Sequence, residues 1–229
     1  MKSMIIGICL LSLPFMPAQE TKKAVTPGGT VSVQDKAAMR SDNIWEAFQN
    51  RRSVRKFKSD AVPESDILKI IDAARTAPTS GNQQPWKFLV VRDKDKISRM
   101  KDACVKQSMD RLSADQRKQN EEKIKNRFND YFSAPVYIVV LTDNNSNYPD
   151  YNHWDGPMAA GYLMLAARAL GYGTVFITDA ISDKITKDVL QIPERYTRVC
   201  ITPLGVPVEW PVIPSKKKLE EFMAYETLK

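Results

Sequence analysis

Four short apolar runs, separated by longer stretches with helical patterns, constrain the fold of this 229-residue chain more than any other feature. Apolar runs of about four to eight residues, rich in β-branched and aromatic residues, are typical of buried strands. The four predicted strands are "KFLVVRD", "PVYIVVLTD", "TVFITD" and "RVCITPLGVP". Because predicted helices alternate with these strands, the sequence predicts one α/β domain built around a single central sheet.

The stretches between the predicted strands carry helix signals. The most apolar of them, "GPMAAGYLMLAARALGYG", predicts a helix that ends at a glycine. Its spacing predicts a buried stripe formed by Met158, Tyr162, Leu165, Ala166 and Ala169. The stretch from about 94 to 132 also predicts helix, but it is very polar. Shorter helices are predicted at 41–51, 63–77 and 182–192.

The chain is basic, with a net charge of +7 and a pI of about 9.2. Such a balance suits nucleic acid, an anionic surface or a phosphorylated small molecule. The basic residues are mixed with acidic residues in the polar helices, as on a solvated surface, and no nucleic-acid-binding motif occurs. We therefore expect no nucleic-acid partner. With one histidine, three cysteines and no clustered ligands, we also expect no metal site.

The N-terminus has the pattern of a secretory leader. It contains one early lysine, an apolar run too short to span a membrane, and Ala18 as a cleavage position. We predict a signal peptide over residues 1–18, a flexible tether over 19–40 and the functional domain over 41–229. The expected location is the bacterial periplasm, without stable membrane association after leader removal. The alternative is an ordinary hydrophobic N-terminal helix on a cytoplasmic protein.

The stretch "RRSVRKF" concentrates cations where the first predicted helix ends. Cations at a helix C-terminus complement its dipole, but this accounts for only one or two of them. Arg51, Ser53 and Arg55 alternate, so an extended chain would place them on the same side. Two guanidinium groups and a hydroxyl on one side predict a pocket for a terminal phosphate.

Two further stretches have turn or surface interpretations when each is taken alone. In "APTSGNQQPWKF", Asn82 and Gln84 offer donors and acceptors together, as the edge of a flat heterocycle requires, but the composition also suits a plain turn. After "PLGVP", the lysines of "SKKKLEEF" read as a solvated basic run.

Together, and in this order, these stretches resemble the FMN-dependent nitroreductase family from about Ile44 to the C-terminus. The resemblance also includes "AARALGYGT". It implies a mixed central sheet flanked by helices, in an intertwined homodimer with two FMN sites at the dimer interface.

The resemblance assigns flavin-binding roles to four groups of residues. Arg51, Arg52, Ser53 and Arg55 match the segment that grips the phosphate, the ribityl chain and the pyrimidine edge. The residues that match the loop reaching the flavin from the other subunit are Pro78, Thr79, Ser80 and Asn82. The residues that match a backbone N–H donor to flavin N5 are Ile177 and Thr178. The residues that match a late basic pair at the phosphate are Lys216 and Lys218.

The resemblance also implies the chemistry. NADH or NADPH would give a hydride to flavin N5 and leave, and a nitroaromatic, quinone or activated alkene would then take the electrons in ping-pong order. No catalytic acid or base in the protein is required, because the cofactor performs the reaction. The alternatives are a non-enzymatic flavin carrier or sensor, and a specialised flavoenzyme of the same fold, such as a reductive dehalogenase or a flavin-cleaving oxygenase.

The stretch "YPDYNHWDGPM" is unusually aromatic and contains the single histidine. Tyr151, His153 and Trp154 either line the acceptor pocket or belong to a loop that packs on the following helix. Loop aromatics more often have the second role.

Overall fold

The computed structural model describes residues 44–228, so the predicted leader (1–18) and tether (19–40) lie outside the described residues. Six helices, three strands and three short 3₁₀ turns form within this range. The helices are α1 (Ile44–Asn50), α2 (Glu64–Ala74), α3 (Lys94–Asp110), α4 (Ala114–Tyr131), α5 (Asn152–Ala169) and α6 (Asp183–Leu190). The strands are β1 (Trp86–Val91), β2 (Val136–Asp143) and β3 (Tyr196–Leu204). Among residues 44–228, no helix is long and apolar enough to cross a bilayer.

The sheet is antiparallel, with β2 between β1 and β3. Val140 lies opposite Phe88 on one side and Cys200 on the other. The sheet separates two apolar clusters, because alternate residues of a strand point to opposite faces. Tyr137 and Val139 pack with helices α3 and α4, whereas Ile138 packs with helices α2 and α5. The predicted α/β architecture around one sheet is confirmed.

The predicted strand "TVFITD" does not form a strand ladder. Thr174 makes a single parallel bridge to Ser53, and Ile177 makes a single antiparallel bridge to Ile201. The segment pairs with two different neighbours, one residue each, so no continuous ladder develops. This geometry places Ser53 and Val54 directly beside Thr174.

Helix α5 buries a different face from the predicted one. Met158 and Tyr162 of the predicted stripe remain 48% and 39% exposed, while Gly156, Ala160 and Leu163 are buried. The helix is apolar on most of its circumference, so the spacing alone does not select a face. Small residues on the buried side let α5 approach the sheet closely.

The stretch predicted as helix from about 94 to 132 is divided into two helices. A turn at Arg111–Ser113 separates α3 from α4. The Ser113 hydroxyl accepts a hydrogen bond from the Gln116 N–H, while the Gln116 side chain accepts one from the Ser113 N–H. This reciprocal cap fixes the start of α4.

We predict that Gly156→Ala lowers the free energy of unfolding by about 1–3 kcal/mol through overpacking. An added Cβ would lie 2.9 Å from Thr142 Cγ2 and closer still to Val199 Cγ2. The matched control is Gly161→Ala in the same helix, where an added Cβ meets nothing within 4 Å. The control should be neutral or stabilising by up to about 1 kcal/mol. Urea unfolding at one protein concentration measures both variants, and equal losses would contradict the account.

Candidate functional site

The segment that follows α1 is extended, as predicted. The Val54 N–H donates to the Thr174 carbonyl at 2.9 Å, and Phe57 bridges to Pro207. Val54 and Phe57 are buried in the core. Because side chains alternate along extended backbone, Ser53 and Arg55 point away from Val54.

A groove of about 930 Å³ runs along this segment and combines cationic with apolar side chains. Arg51, Arg52, Ser53, Arg55 and Lys216 contribute to its polar lining, together with Gln49 and Asn50. Its apolar lining comes from Trp45, Phe48, Pro211, Val212, Ile213 and Pro214. A volume of this size suits a ligand with an anionic end and a flat apolar part.

Arg52 has a structural role at the end of α1. It is 7% exposed, and its Nη1 donates to the carbonyls of Gln49 at 2.6 Å and Arg51 at 2.8 Å. Arg168 Nε donates to the Asn50 carbonyl at 3.3 Å. Two guanidinium groups therefore satisfy the last carbonyls of α1, which have no partners within the helix. Burial and the nearby Arg52 charge lower the pKa of Arg168.

The loop with Pro78, Thr79, Ser80 and Asn82 lies elsewhere, beside the start of α5. The Ser80 N–H donates to Asp155 Oδ1 at 3.1 Å. Within residues 44–228, none of the four loop residues lines the cationic groove. One chain therefore does not bring the two predicted sets together.

Of the predicted N5 donors, only Thr178 keeps its N–H available. The Ile177 N–H donates to the Ile201 carbonyl at 3.2 Å, and Ile177 is buried. The Thr178 carbonyl accepts from Arg198 Nη2 at 2.8 Å, and Thr178 is exposed.

Lys216 and Lys218 occupy different positions. Lys216 lines the groove, but Lys218 does not. Lys218 precedes the turn Leu219–Glu221, where its N–H donates to Glu221 Oε1 at 3.1 Å. The basic tail therefore contributes one groove-lining ammonium group within a single chain.

A second cavity, of about 740 Å³, lies between the start of α5 and β3. Phe176, Thr178, His153 and Arg198 are among its lining residues. The sequence did not single out Phe176 or Arg198. Arg198 is a cation within an otherwise apolar run, and its side chain is only 6% exposed, with Nε donating to Asp183 Oδ1 at 3.0 Å.

The aromatic stretch before and within α5 does not bury its large side chains within the chain. Tyr151 and Trp154 are 45% and 60% exposed, and their ring centroids lie 5.4 Å apart. The His153 ring contacts the Trp154 ring, with centroids 3.9 Å apart and planes tilted by 47°, and His153 also borders the second cavity. His153 borders this cavity and Tyr151 and Trp154 do not, so a role of the whole stretch in an acceptor pocket stays a prediction.

The two thiols between residues 44 and 228, Cys104 and Cys200, are poor candidates for nucleophiles. Burial raises the pKa of Cys200 to about 12 and also raises the pKa of Cys104. Both thiols are therefore protonated at neutral pH. Within the described range, no group of three or more His, Cys, Asp and Glu side chains is placed to hold a metal ion.

A family model described as the nitroreductase family matches residues 48–206. A protein of Archaeoglobus fulgidus with the provisional name NADH dehydrogenase/NAD(P)H nitroreductase is 33% identical over 172 residues, which are 72% of this chain and 86% of that protein. Iodotyrosine deiodinase 1 of Mus musculus is 26% identical over 223 residues, 90% of this chain and 77% of that protein. A crystal structure of iodotyrosine deiodinase bound to FMN and 3-iodo-L-tyrosine has a TM-score of 0.67 at 23% identity, covering 81% of this chain and 100% of the other.

A three-stranded sheet with helices on both faces and a cationic groove beside it defines an α/β protein of the nitroreductase fold. The chain belongs to the nitroreductase family of oxidoreductases. The resemblance of family and fold seen in the sequence is thereby confirmed, while the roles of the individual residues stay predictions.

We predict that Arg52→Ala lowers the free energy of unfolding of flavin-free protein by about 1–3 kcal/mol, because it leaves two partly buried carbonyls without their guanidinium donor. The control is Arg55→Ala, which removes the same charge from an exposed position and should change stability by no more than about 0.5 kcal/mol. Urea unfolding of flavin-free protein distinguishes the two. A loss at Arg52 no larger than at Arg55 would show that Arg52 does not hold the helix end.

Proposed function

We propose that this protein is a homodimeric, FMN-dependent oxidoreductase that uses NADH or NADPH to reduce a small organic acceptor. The acceptor classes are nitroaromatics, quinones and activated alkenes. The observation that carries the proposal is the groove in which Arg51, Ser53, Arg55 and Lys216 face apolar side chains. The nitroreductase relatives and the FMN-bound deiodinase structure support it.

The residues of the groove fit the chemical parts of FMN. Its terminal phosphate is dianionic, and guanidinium groups on Arg51 and Arg55 bind such oxygens through paired donors. Lys216 adds charge, and Ser53 adds a hydroxyl. Trp45 and the proline-rich segment 211–214 offer apolar surface beside the charges, as a flat ring system requires. Arg52 supports this arrangement by fixing the end of α1.

When bound, FMN would supply the redox chemistry, which is hydride acceptance at N5 and transfer of reducing equivalents to the acceptor. The protein binds, orients and stabilises charge. A cation of the groove that lies next to the pyrimidine edge of the flavin, rather than at its phosphate, would stabilise negative charge on the reduced ring. The free N–H of Thr178 is our candidate donor to N5. No side chain needs to act as an acid or base.

The dimer is part of the proposal because a single chain exposes too much apolar surface. Soluble monomers rarely expose large contiguous apolar patches. Helix α1 leaves Trp45 and Phe48 68% and 53% exposed, and α5 leaves Trp154, Met158 and Tyr162 exposed. A second copy would cover these surfaces, and an obligate interface of this kind buries about 2,000–5,000 Å².

The second copy would also complete the flavin site. The loop with Ser80 and Asn82 is separate from its own groove, so in a dimer it would reach the groove of the partner. The segment 208–214 would embrace the partner, consistent with the 91% exposure of Val212. Two copies thus make two composite sites, each formed by the groove of one chain and the Ser80–Asn82 loop of the other.

Export is a further part of the proposal, and it rests on the leader pattern of residues 1–18. The mature domain would act in the periplasm, and FMN would be acquired after translocation.

Reductive dehalogenation of an aromatic substrate is the second candidate. It is favoured by the 26% identity to mouse iodotyrosine deiodinase 1 over 90% of this chain. Phe176 and His153 in the second cavity offer stacking surface for an aromatic ring beside Thr178.

Anaerobic turnover with a nitroaromatic and with a halogenated phenol separates the two candidates. We predict NAD(P)H-dependent loss of the nitro group's absorption, with no halide release above the flavin-free control. Halide release at a rate equal to or above nitro reduction would favour the dehalogenase.

We predict that the purified protein is yellow and that acid releases FMN. Arg51→Ala and Arg55→Ala should each raise the FMN dissociation constant about 30- to 150-fold, because each removes a charged hydrogen bond worth about 2–3 kcal/mol. Lys58→Ala, which removes a cation outside the groove, is the control. Titration of FMN fluorescence measures all three. A colourless protein that does not bind added FMN rejects the proposal, and equal effects at the three positions would indicate general surface charge.

A further inference from the structure

Asp155 is a buried carboxylate that the flavin-binding proposal leaves without a role. It lies in the first turn of α5 and is 4% exposed. Buried carboxylates are normally paired with cations. Asp155 instead accepts hydrogen bonds from a loop more than seventy residues earlier in the chain. Its position near the helix N-terminus also stabilises its negative charge.

Both carboxylate oxygens of Asp155 hold the loop. Oδ1 accepts from the Ser80 N–H at 3.1 Å and from the Ser80 hydroxyl at 3.4 Å. Oδ2 accepts from Gln83 Nε2 at 2.7 Å. The other end of the Gln83 amide accepts from the Tyr148 N–H at 2.8 Å. Asp155 and Gln83 thus clamp the loop between α5 and the Tyr148 segment.

The backbone of the loop needs this restraint. Gly81, Asn82 and Gln84 have φ values of +57°, +55° and +48°. Non-glycine residues in this left-handed region cost about 1–3 kcal/mol each and persist only where surrounding contacts enforce them. The Tyr148 ring lies over Gly81, so closely that a Cβ there would be 2.5 Å from Tyr148 Cε2.

We infer that Asp155 is a positioning residue that holds Ser80 and Asn82 in the conformation that binds the partner subunit's flavin. The inference rests on the proposed function, since the loop is assigned there to the composite site. Asp155 does not touch the flavin in this account. It acts through the Ser80 N–H and through Gln83.

The first test compares FMN binding by dimers of wild type, Asp155→Ala and Asp150→Ala. Asp150 is an exposed carboxylate five residues earlier and serves as the matched control. Loss of hydrogen bonds to a charged group should raise the FMN dissociation constant of Asp155→Ala about 10- to 100-fold. Asp150→Ala should bind as wild type does.

A swap of the two partners separates positioning from general stability. Asp155→Asn presents an amide to the amide of Gln83, and Gln83→Glu presents a carboxylate to the carboxylate of Asp155, so each single variant should bind FMN weakly. The double variant restores one donor and one acceptor at the 2.7 Å contact but loses the bond from Gln83 Nε2 to the Tyr148 carbonyl at 3.0 Å, so it should recover part of the affinity and bind FMN more tightly than either single variant. Absence of recovery in a folded double variant would overturn the inference. If Asp155→Ala does not fold, Gln83→Ala replaces it, because Gln83 is only half-buried.

Mixed dimers then show which flavin Asp155 serves. Differently tagged chains are refolded together and the heterodimers purified. Asp155→Ala paired with Arg51→Ala/Arg55→Ala should bind one FMN per dimer with wild-type affinity, because one site collects all the defects. In the second heterodimer, an Asp155→Ala chain is paired with a Ser80→Ala/Asn82→Ala chain. Each of its two sites then has one defective loop, so neither site should bind FMN with wild-type affinity.

The outcomes for the two proposals differ. Wild-type protein that binds no FMN rejects the proposed function. Wild-type protein that binds FMN, together with an Asp155→Ala variant of equal affinity, rejects only the role of Asp155. Two damaged sites in the first heterodimer would place the action of Asp155 on the groove of its own chain and would also overturn the inference.

Discussion

The close backbone approach at Gly173 determines where the candidate site can form. A Cβ at this position would lie 2.8 Å from Val54 Cβ and 2.9 Å from Pro207 Cγ, so only glycine lets the three segments meet. The Gly173 N–H donates to the Gly205 carbonyl at 2.9 Å, and the next residue, Thr174, accepts from Val54. The arginine segment, residues 173–174 and residues 205–207 are thereby fixed to one another, and the arginine segment in turn lines the groove.

The second constraint is that large apolar side chains next to the cationic groove are more than half exposed in a single chain. Trp45 and Phe48 line the groove and are more than half exposed. Burial of such side chains contributes about 1.5–3 kcal/mol each, so a second copy that covers them gains substantial stability. Because the same surface carries the arginines, dimerisation and flavin binding would be linked by mass action.

Local patterns made some features predictable and left others hidden. The alternation of Arg51, Ser53 and Arg55 has the period of extended chain, and the structure has that geometry. Helix α5 is apolar all round, so the prediction of its buried face was wrong. The segment at Thr174 and Ile177 has the composition of a strand, but its two single bridges depend on neighbours far away in sequence.

The least predictable residues are those whose partners are distant in the chain. Asp155 serves a loop that begins 75 residues earlier, and no motif joins the two. Arg198 is similar, because its hydrogen-bond partners Thr178 and Asp183 lie in an earlier segment of the chain. The only signal that either residue gives in the sequence is a charged side chain within a stretch that is predicted to be a mostly apolar helix or strand. Such a charge, if buried, needs a partner.

The central claim is that each flavin site is built by two chains, and sedimentation velocity of the flavin-loaded protein tests it most directly. A dilution series, recorded both in the protein absorption band and in the visible flavin band, separates monomer from dimer. The account predicts that visible absorbance sediments with the dimer alone and that monomer formed on dilution has lost its flavin. A monomer that keeps its flavin with the affinity of the dimer would contradict the shared site.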